Sequence, residues 1–218
     1  MEQSTMSHDD NIAKIEKEKY QEVWKHQGYR NWSPGCEEHQ AALAGFRNFH
    51  AKFKTGPLTV CDYGCGEGWS VQYFNDQEGV NAWGVEHAPN AIKAAGILVY
   101  EDCLWEMPDA PKSDFAFCCD VMEHIPSIKV GLTLAKIAAR TEQMAFFRIA
   151  FVDDCFGPQL LNKPLHLTVR DHNWWQSELH KHWKNVMPVR IRRSFGVFMC
   201  ADARLSQSDA SESTPPSQ

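Results

Sequence analysis

Apolar and polar positions alternate along this chain with two different periods, and the change of period marks out the elements. From about Asp10 to His26, Ile12, Ile15, Val23 and Trp24 share one face at helical spacing. Asp9 or Asp10 is placed to cap this helix, and Gly28 to end it. The stretch 29–35, YRNWSPG, reads as a turn-rich connector. A second helix is predicted over about 36–53, with Leu43, Phe46, Phe49 and Phe53 in a stripe.

After Gly56-Pro57 the texture changes to short apolar runs separated by helical segments. Strands are predicted at 58–63, 80–86, 97–100, 114–120 and 143–150. Helices are predicted at about 69–76, at about 89–96 and from Pro126 to Arg140, with proline in a favourable first-turn place. Strands alternating with helices predict an α/β fold, a mostly parallel sheet with helices on both faces. Residues 151–171 read as one long loop, a length that points to function. A helix follows at about 172–183, then an antiparallel strand pair across 188–201 in which Val189 and Ile191 alternate with Arg190 and Arg192. The domain division expected is a disordered 1–9, a helical cap at 10–55, the α/β domain at 56–201 and a disordered acidic tail at 202–218.

Composition narrows this picture without redirecting it. The 218 residues are 43% hydrophobic and 23% charged, an ordinary globular balance. No apolar run approaches the roughly 20 residues of a membrane span. The start of the chain is polar and acidic, unlike a secretory signal. Eight cysteines, with no C-x-x-C pair, point to free thiols in a reducing cytoplasm, four of them (Cys61, Cys118, Cys119 and Cys200) in strands read as buried.

The sharpest local feature is Asp62-Tyr63-Gly64-Cys65-Gly66-Glu67-Gly68, where the first strand of the alternating region meets its first helix. That junction is where a doubly wound sheet binds a nucleotide cofactor. A dinucleotide fingerprint would place its third glycine at 69, which is Trp, and no Walker lysine is present. Asp62, two residues before Gly64, would repel a pyrophosphate and attract an ammonium or a sulfonium. Glu86, 22 positions after Gly64, ends the next strand at the spacing of a ribose-binding acid.

With these residues in register, the chain from about 57 to 200 resembles the class I S-adenosylmethionine-dependent methyltransferases, whose fold is a Rossmann-like seven-stranded sheet with an antiparallel last strand. The resemblance implies that Asp62, Tyr63, Gly64, Cys65, Gly66 and Gly68 hold the amino-acid part of S-adenosylmethionine and that Glu86, with His87 beside it, holds the ribose. Asp102 and Cys103 are similar to the pair flanking adenine. Asp120-Val121-Met122-Glu123-His124-Ile125-Pro126 resembles the D-x-x-E-H-x-P run whose backbone lines the cofactor and whose side chains face the substrate. S-adenosylhomocysteine would be the product.

Methyl transfer needs a base only when the acceptor must lose a proton. Glu123, His124 and His166 are the candidates. Asp120, Glu123, His124 and His166 also resemble the metal-binding pattern of small-RNA 3′-terminal 2′-O-methyltransferases. The first acid here is Asp rather than Glu, and D-x-x-E-H runs are common in metal-free relatives, so a divalent metal is not expected. Among aromatics ahead of the sheet, Tyr20 or Tyr29 is placed to close over the site, and Trp24 to pack.

The expected activity is methylation of an oxygen or nitrogen on a polar small molecule, a sugar, a nucleotide or another metabolite, with phosphate-bearing acceptors included. A nucleic-acid methyltransferase and a cofactor-binding protein without turnover are the alternatives. No membrane partner is expected, and the oligomeric state is open. The formal net charge of -6 is uneven, since residues 1–10 carry -3, residues 201–218 carry -2, and residues 163–193 carry +5. That basic stretch keeps anionic acceptors in view.

Overall fold

The computed structural model describes residues 8–32, 38–52, 55–107 and 110–204. Residues 1–7 of the expected loose segment 1–9, the connector residues 33–37 with Cys36, Phe53 of the expected stripe, and the tail beyond Arg204 lie outside the described residues, as do the side chains of Asp9, Asp10 and Trp32, whereas residues 8 and 9 are helical rather than loose.

Seven strands form one sheet in the order β3-β2-β1-β4-β5-β7-β6. They are β1 (Leu58–Tyr63), β2 (Val80–Glu86), β3 (Leu98–Glu101), β4 (Ser113–Cys119), β5 (Thr141–Ala150), β6 (Trp183–Ile191) and β7 (Phe195–Ala203). β1 pairs in parallel with β2 and β4, and β4 with β5, whereas β7 runs antiparallel to both β5 and β6. Six strands therefore point one way and β7 is reversed.

Among the described residues seven helices accompany the sheet: α1 (His8–Val23), α2 (Gln27–Trp32), α3 (His39–His50), α4 (Trp69–Asn75), α5 (Val130–Arg140), α6 (Phe156–Leu161) and α7 (His172–His180). The central strands are apolar on both faces because both faces are covered. Ala116, Cys118 and Phe147 point to the side of Leu134, Ile137, Trp175 and Leu179, from α5 and α7. Their neighbours Phe115, Phe117 and Phe146 point to the side of Leu43, Phe46, Val71 and Phe74, from α3 and α4. A smaller cluster joins Tyr20 and Val23 of α1, and Trp24 just after it, to Tyr29, Ala88, Ala91 and Leu165. It seats the N-terminal helix over the loops that leave the strands rather than on the sheet. Strand order reverses between β1 and β4, and ligands bind at the carboxyl ends of strands around such a switch point.

The structure corrects several sequence-based boundaries. Part of the connector expected at 29–35 is α2, held by the Arg30 side chain on the carbonyls of Trp24, Asn90 and Ala91. The helix expected at 89–96 is a single 3-10 turn, Pro89–Ala91. The N–H groups of Lys93 and Ala94 donate to the Glu67 carbonyl instead of continuing a helix. The helix expected from Pro126 begins at Val130, because the residue before proline, Ile125, is extended and residues 126–129 form a turn. Met122–His124 form a 3-10 turn that hydropathy does not announce. The loop 151–171 contains α6, anchored by Asp154 accepting from the Gly157 N–H and stopped at left-handed Asn162.

The expected strand pair begins earlier, at Trp183, and ends later, at Ala203, so residues 202 and 203 of the expected tail are strand. The alternation read into 189–192 is interrupted by a bulge between Pro188 and Arg190, which leaves Val189 53% exposed. Arg190 turns to an ion pair with Glu38. Cys61, Cys118 and Cys200 are buried as expected, whereas Cys119 is half-buried. No helix among the described residues is long and apolar enough to cross a membrane.

Candidate functional site

Glycines open the site. The N–H groups of Gly64 and Cys65 both donate to the Val85 carbonyl, at 2.8 and 3.1 Å, which folds the loop back across the end of β2. Gly64 has φ +77°, and a Cβ there would lie 2.6 Å from Val121 Cγ2, so only glycine lets the loop approach that residue. The Gly66 N–H donates to Glu86 Oε2 at 3.0 Å, while Glu86 Oε1 accepts from the Ala88 N–H at 2.9 Å. Glu86 thus braces both the loop and the chain leaving β2. A carboxylate has about four lone-pair sites, so capacity for further donors remains.

This loop lines a cavity of about 340 Å³ that extends past Asp62 and Glu86 to His124 and His166. Asp62 is only 4% exposed. Burial first, and then the charge of Glu86, pushes its carboxyl up to about 8. Holding two carboxylates in one enclosure is costly unless a positive group joins them.

Of the residues expected to hold a cofactor, Asp62, Gly64, Cys65, Gly66, Glu86, His87, Cys103, Asp120 and Val121 line this cavity. Three do not. Tyr63 points its side chain into the core beneath the sheet. Gly68 begins α4 at φ +87°, packed under Ile97. Asp102 accepts from the neighbouring Cys103 N–H at 2.7 Å. Pleat alternation accounts for Tyr63, because a residue next to cavity-facing Asp62 faces the other way.

Glu123, His124 and His166 come together although 43 positions separate the first from the last. Glu123 is fully buried. Its Oε1 accepts from the Ala150 N–H at 3.1 Å, and its backbone carbonyl accepts from Leu167 and Thr168. Burial, and next the Asp120 charge, push its carboxyl well above the ordinary range. The rings of His124 and His166 meet edge to face, with centroids 4.7 Å apart. Burial first, then His166, pulls His124 down to about 3, which keeps it neutral. Asp120 does not join them. At left-handed φ +54°, it forms an ion pair with Arg148 instead. The four-residue group suggested by sequence is a three-residue group in space.

Sequence reasoning expected Tyr20 or Tyr29 over the site without naming a partner, and it missed other contributors. Tyr20 reaches from α1 to place its hydroxyl 2.6 Å from His124 Nδ1. Trp24 and Glu16 of the same segment line the cavity, as do Asp154 and Phe156. Asp154 accepts from the N–H groups of Gly157, Leu165 and His166, so it shapes the loop that carries His166. Glu67, 5% exposed, binds Arg30, Lys93 and the Trp69 indole. Burial alone would raise its carboxyl, but these three partners hold it below the ordinary range. Only the aromatic density ahead of the sheet hinted at the cap, since periodicity says nothing of long-range pairing. None of the seven basic residues in 163–193 lines the cavity.

The enclosure fits S-adenosylmethionine chemically. Its two buried acids suit a cationic amino-acid end and ribose hydroxyls, its glycine backbone permits close approach, and its remaining wall is largely aromatic and apolar.

A family model described as a methyltransferase domain matches residues 36–191. No curated protein sequence matches the chain. Among solved structures, magnesium protoporphyrin IX methyltransferase from Synechocystis PCC 6803 with bound SAH aligns over 86% of this chain and 99% of its own, with TM-score 0.57 and 15% identity. The DhpI–SAH complex aligns over 90% and 98%, with TM-score 0.60 and 12% identity. Phosphoethanolamine N-methyltransferase 2 of Haemonchus contortus, with S-adenosyl-L-methionine, aligns over 94% of this chain and 62% of its own, with TM-score 0.59 and 12% identity. At these identities the likeness is one of fold.

Proposed function

This chain belongs to the S-adenosylmethionine-dependent methyltransferases of class I fold, and from that premise we propose that it methylates an oxygen or nitrogen of a polar small molecule. The observation that carries the reading is one enclosure holding both the acid pair Asp62–Glu86 and the cluster Glu123–His124–His166.

When bound, the cofactor supplies a methyl group already activated on a sulfonium. The chain therefore has to bind, orient and exclude water. Asp62 and the backbone of Gly64 to Gly66 hold the amino-acid end. Glu86 holds the ribose while bracing the loop. Val121 and Cys103 wall the base. Glu123, His124 and His166 lie where β4 and the 151–168 segment converge, and they hold the acceptor. The neutral His124 imidazole there favours a polar acceptor that offers a hydroxyl or an amine.

That magnesium protoporphyrin IX methyltransferase and phosphoethanolamine N-methyltransferase 2 share this fold supports a small-molecule acceptor. Among the described residues no Lys or Arg lines the cavity, which supports the same reading, because a polynucleotide acceptor calls for cationic contacts on its backbone.

The test is transfer of a radiolabelled methyl from S-adenosylmethionine to separate pools of saccharides, nucleotides, other polar metabolites, RNA and DNA. Label in a small-molecule pool is expected. Label confined to RNA or DNA overturns the acceptor class. Cofactor binding by calorimetry with no transfer to any pool overturns turnover itself.

A further inference from the structure

We propose that Glu123, His124 and His166 form a site for one divalent transition-metal ion, of the Zn²⁺, Mn²⁺, Fe²⁺ or Co²⁺ class, on the acceptor side of the cavity. The proposal rests on the methyltransferase reading only for the ion's role; the site itself follows from where lone pairs and protons lie.

The outer partners of each side chain decide what its inner atom offers. His166 Nδ1 lies 2.6 Å from the Val152 carbonyl. A carbonyl only accepts, so Nδ1 carries the ring proton and the lone pair is on Nε2. His124 Nδ1 lies 3.1 Å from the Leu165 carbonyl and 2.6 Å from the Tyr20 oxygen; because the carbonyl only accepts, Nδ1 is taken to carry the proton on this ring too, which leaves the lone pair on Nε2. Glu123 Oε1 is taken by the Ala150 N–H, while Oε2 is buried and has no hydrogen-bond partner among the described residues.

With these tautomers, each of the three residues has one atom free to accept, two imidazole nitrogens and one carboxylate oxygen, and no other donor among the described residues is placed between them. One ligand atom from each residue lies within 4.8 Å of the other two. A single proton bridges two acceptors and leaves the third unsatisfied; a metal ion satisfies all three.

The surroundings match a built metal site. Metal-bound histidines characteristically donate their other ring N–H to a carbonyl or carboxylate, as both rings do here. The loop that brings His166 is fixed at both ends, by Asp154 holding the Leu165 and His166 N–H groups and by Leu167 and Thr168 donating to the Glu123 carbonyl. An ion about 2.1 Å from each ligand places tetrahedral ligand atoms about 3.4 Å apart. Small rotations of the partly exposed His166 supply that closure.

Mixed nitrogen and oxygen ligands select borderline transition metals over Ca²⁺ and Mg²⁺, which take mainly oxygen. Three protein ligands leave coordination positions open, the pattern of a site that binds a reacting molecule rather than one that staples a fold. His124 and His166 both line the cavity, so an acceptor oxygen is the group that would complete the shell. The ion would orient that oxygen and ease loss of its proton.

The full-length protein, stripped of metal by a chelator and dialysed, is titrated with Co²⁺ while its visible ligand-field absorption is followed. The expected result is a saturable band at one ion per chain. It should be weakened about tenfold or more in affinity in His166→Ala and kept in Asp120→Asn. Calorimetry with S-adenosylmethionine on the same samples reports whether each variant is folded. No saturable band in the wild type overturns the proposal, as does a wild-type band in His166→Ala. A band lost in Asp120→Asn overturns the three-ligand assignment. Cofactor binding without metal binding refutes this inference alone; metal binding without cofactor binding refutes the functional reading alone.

Discussion

The Tyr20 hydroxyl lies 2.6 Å from His124 Nδ1, joining residues 104 positions apart. It makes the N-terminal helix part of the site rather than a cover laid over it. The Tyr20 ring also meets the His87 ring edge-on, with centroids 5.4 Å apart, so one side chain touches both the cofactor side and the acceptor side of the cavity. Burial pushes the Tyr20 hydroxyl above its ordinary pKa, and it stays protonated at neutral pH.

Tyr20→Phe removes that hydroxyl and keeps the ring in its cluster. The expected outcome is a fall in kcat of about tenfold or more, as for other groups that orient a catalytic or ligating histidine. The KM for S-adenosylmethionine and the melting temperature should stay near wild type. Steady-state kinetics with the identified acceptor check this, and an unchanged kcat would show that the contact is packing only.

Asp62 gives a prediction in pH. Its folded-state pKa, about 8, lies above the roughly 3.9 of an unfolded aspartate, so between these values the folded chain binds the extra proton. Stability of the ligand-free protein therefore falls as pH rises through that range. His124, whose pKa is lowered to about 3, and His182, also lowered, act in the opposite direction below about 6.5, the ordinary histidine value. From pH 6.5 to 8 the Asp62 effect stands clear of the histidines. It amounts to up to about 1.4 kcal/mol per pH unit. Glu123 and Asp120, whose carboxyls are raised as well, act in the same direction, so denaturant melts across that window should show a shallower slope in Asp62→Asn, not a flat one. The same variant should bind S-adenosylmethionine at least tenfold more weakly by calorimetry, because the amide cannot pair with a cationic amine.

Arg30 is the latch of the cap. Its guanidinium reaches Glu67 at 2.8 Å and three backbone carbonyls, tying α2 to the glycine loop and to the turn after β2. Arg30→Ala strips one partner from nearly buried Glu67 while Lys93 remains at 3.1 Å. The cost should be about 2 kcal/mol, below that of a fully broken buried pair. For a domain of this size that lowers Tm by about 4–8 °C. Limited proteolysis should cut faster between α1 and α3. Unchanged melting and unchanged cleavage would contradict the latch.

Much of the sheet was legible because local rules determine it. The runs at 58–63, 80–86 and 114–120 are apolar on both faces, which only a strand covered on both sides requires, and the structure has strands there within a residue. Elements failed to follow the pattern where tertiary hydrogen bonds competed. Residues 92–94 had helical composition, but the Glu67 carbonyl takes the N–H groups of Lys93 and Ala94. Val189 had strand periodicity, but the bulge beside Pro188 turned it outward.

The site divides along the same line. The sequence alone determined the glycine turn and its acids, because a left-handed loop after a buried strand has few solutions and a carboxylate two residues earlier must sit beside it. Asp62, Gly64, Gly66 and Glu86 were readable for that reason. Tertiary structure alone decided that Asp120 pairs with Arg148, that Glu123 keeps one buried oxygen unpartnered, and that Tyr20 meets His124. Spacing cannot foresee such contacts: each depends on which of several distant partners the packed sheet brings within about 3 Å, the range over which a hydrogen bond forms.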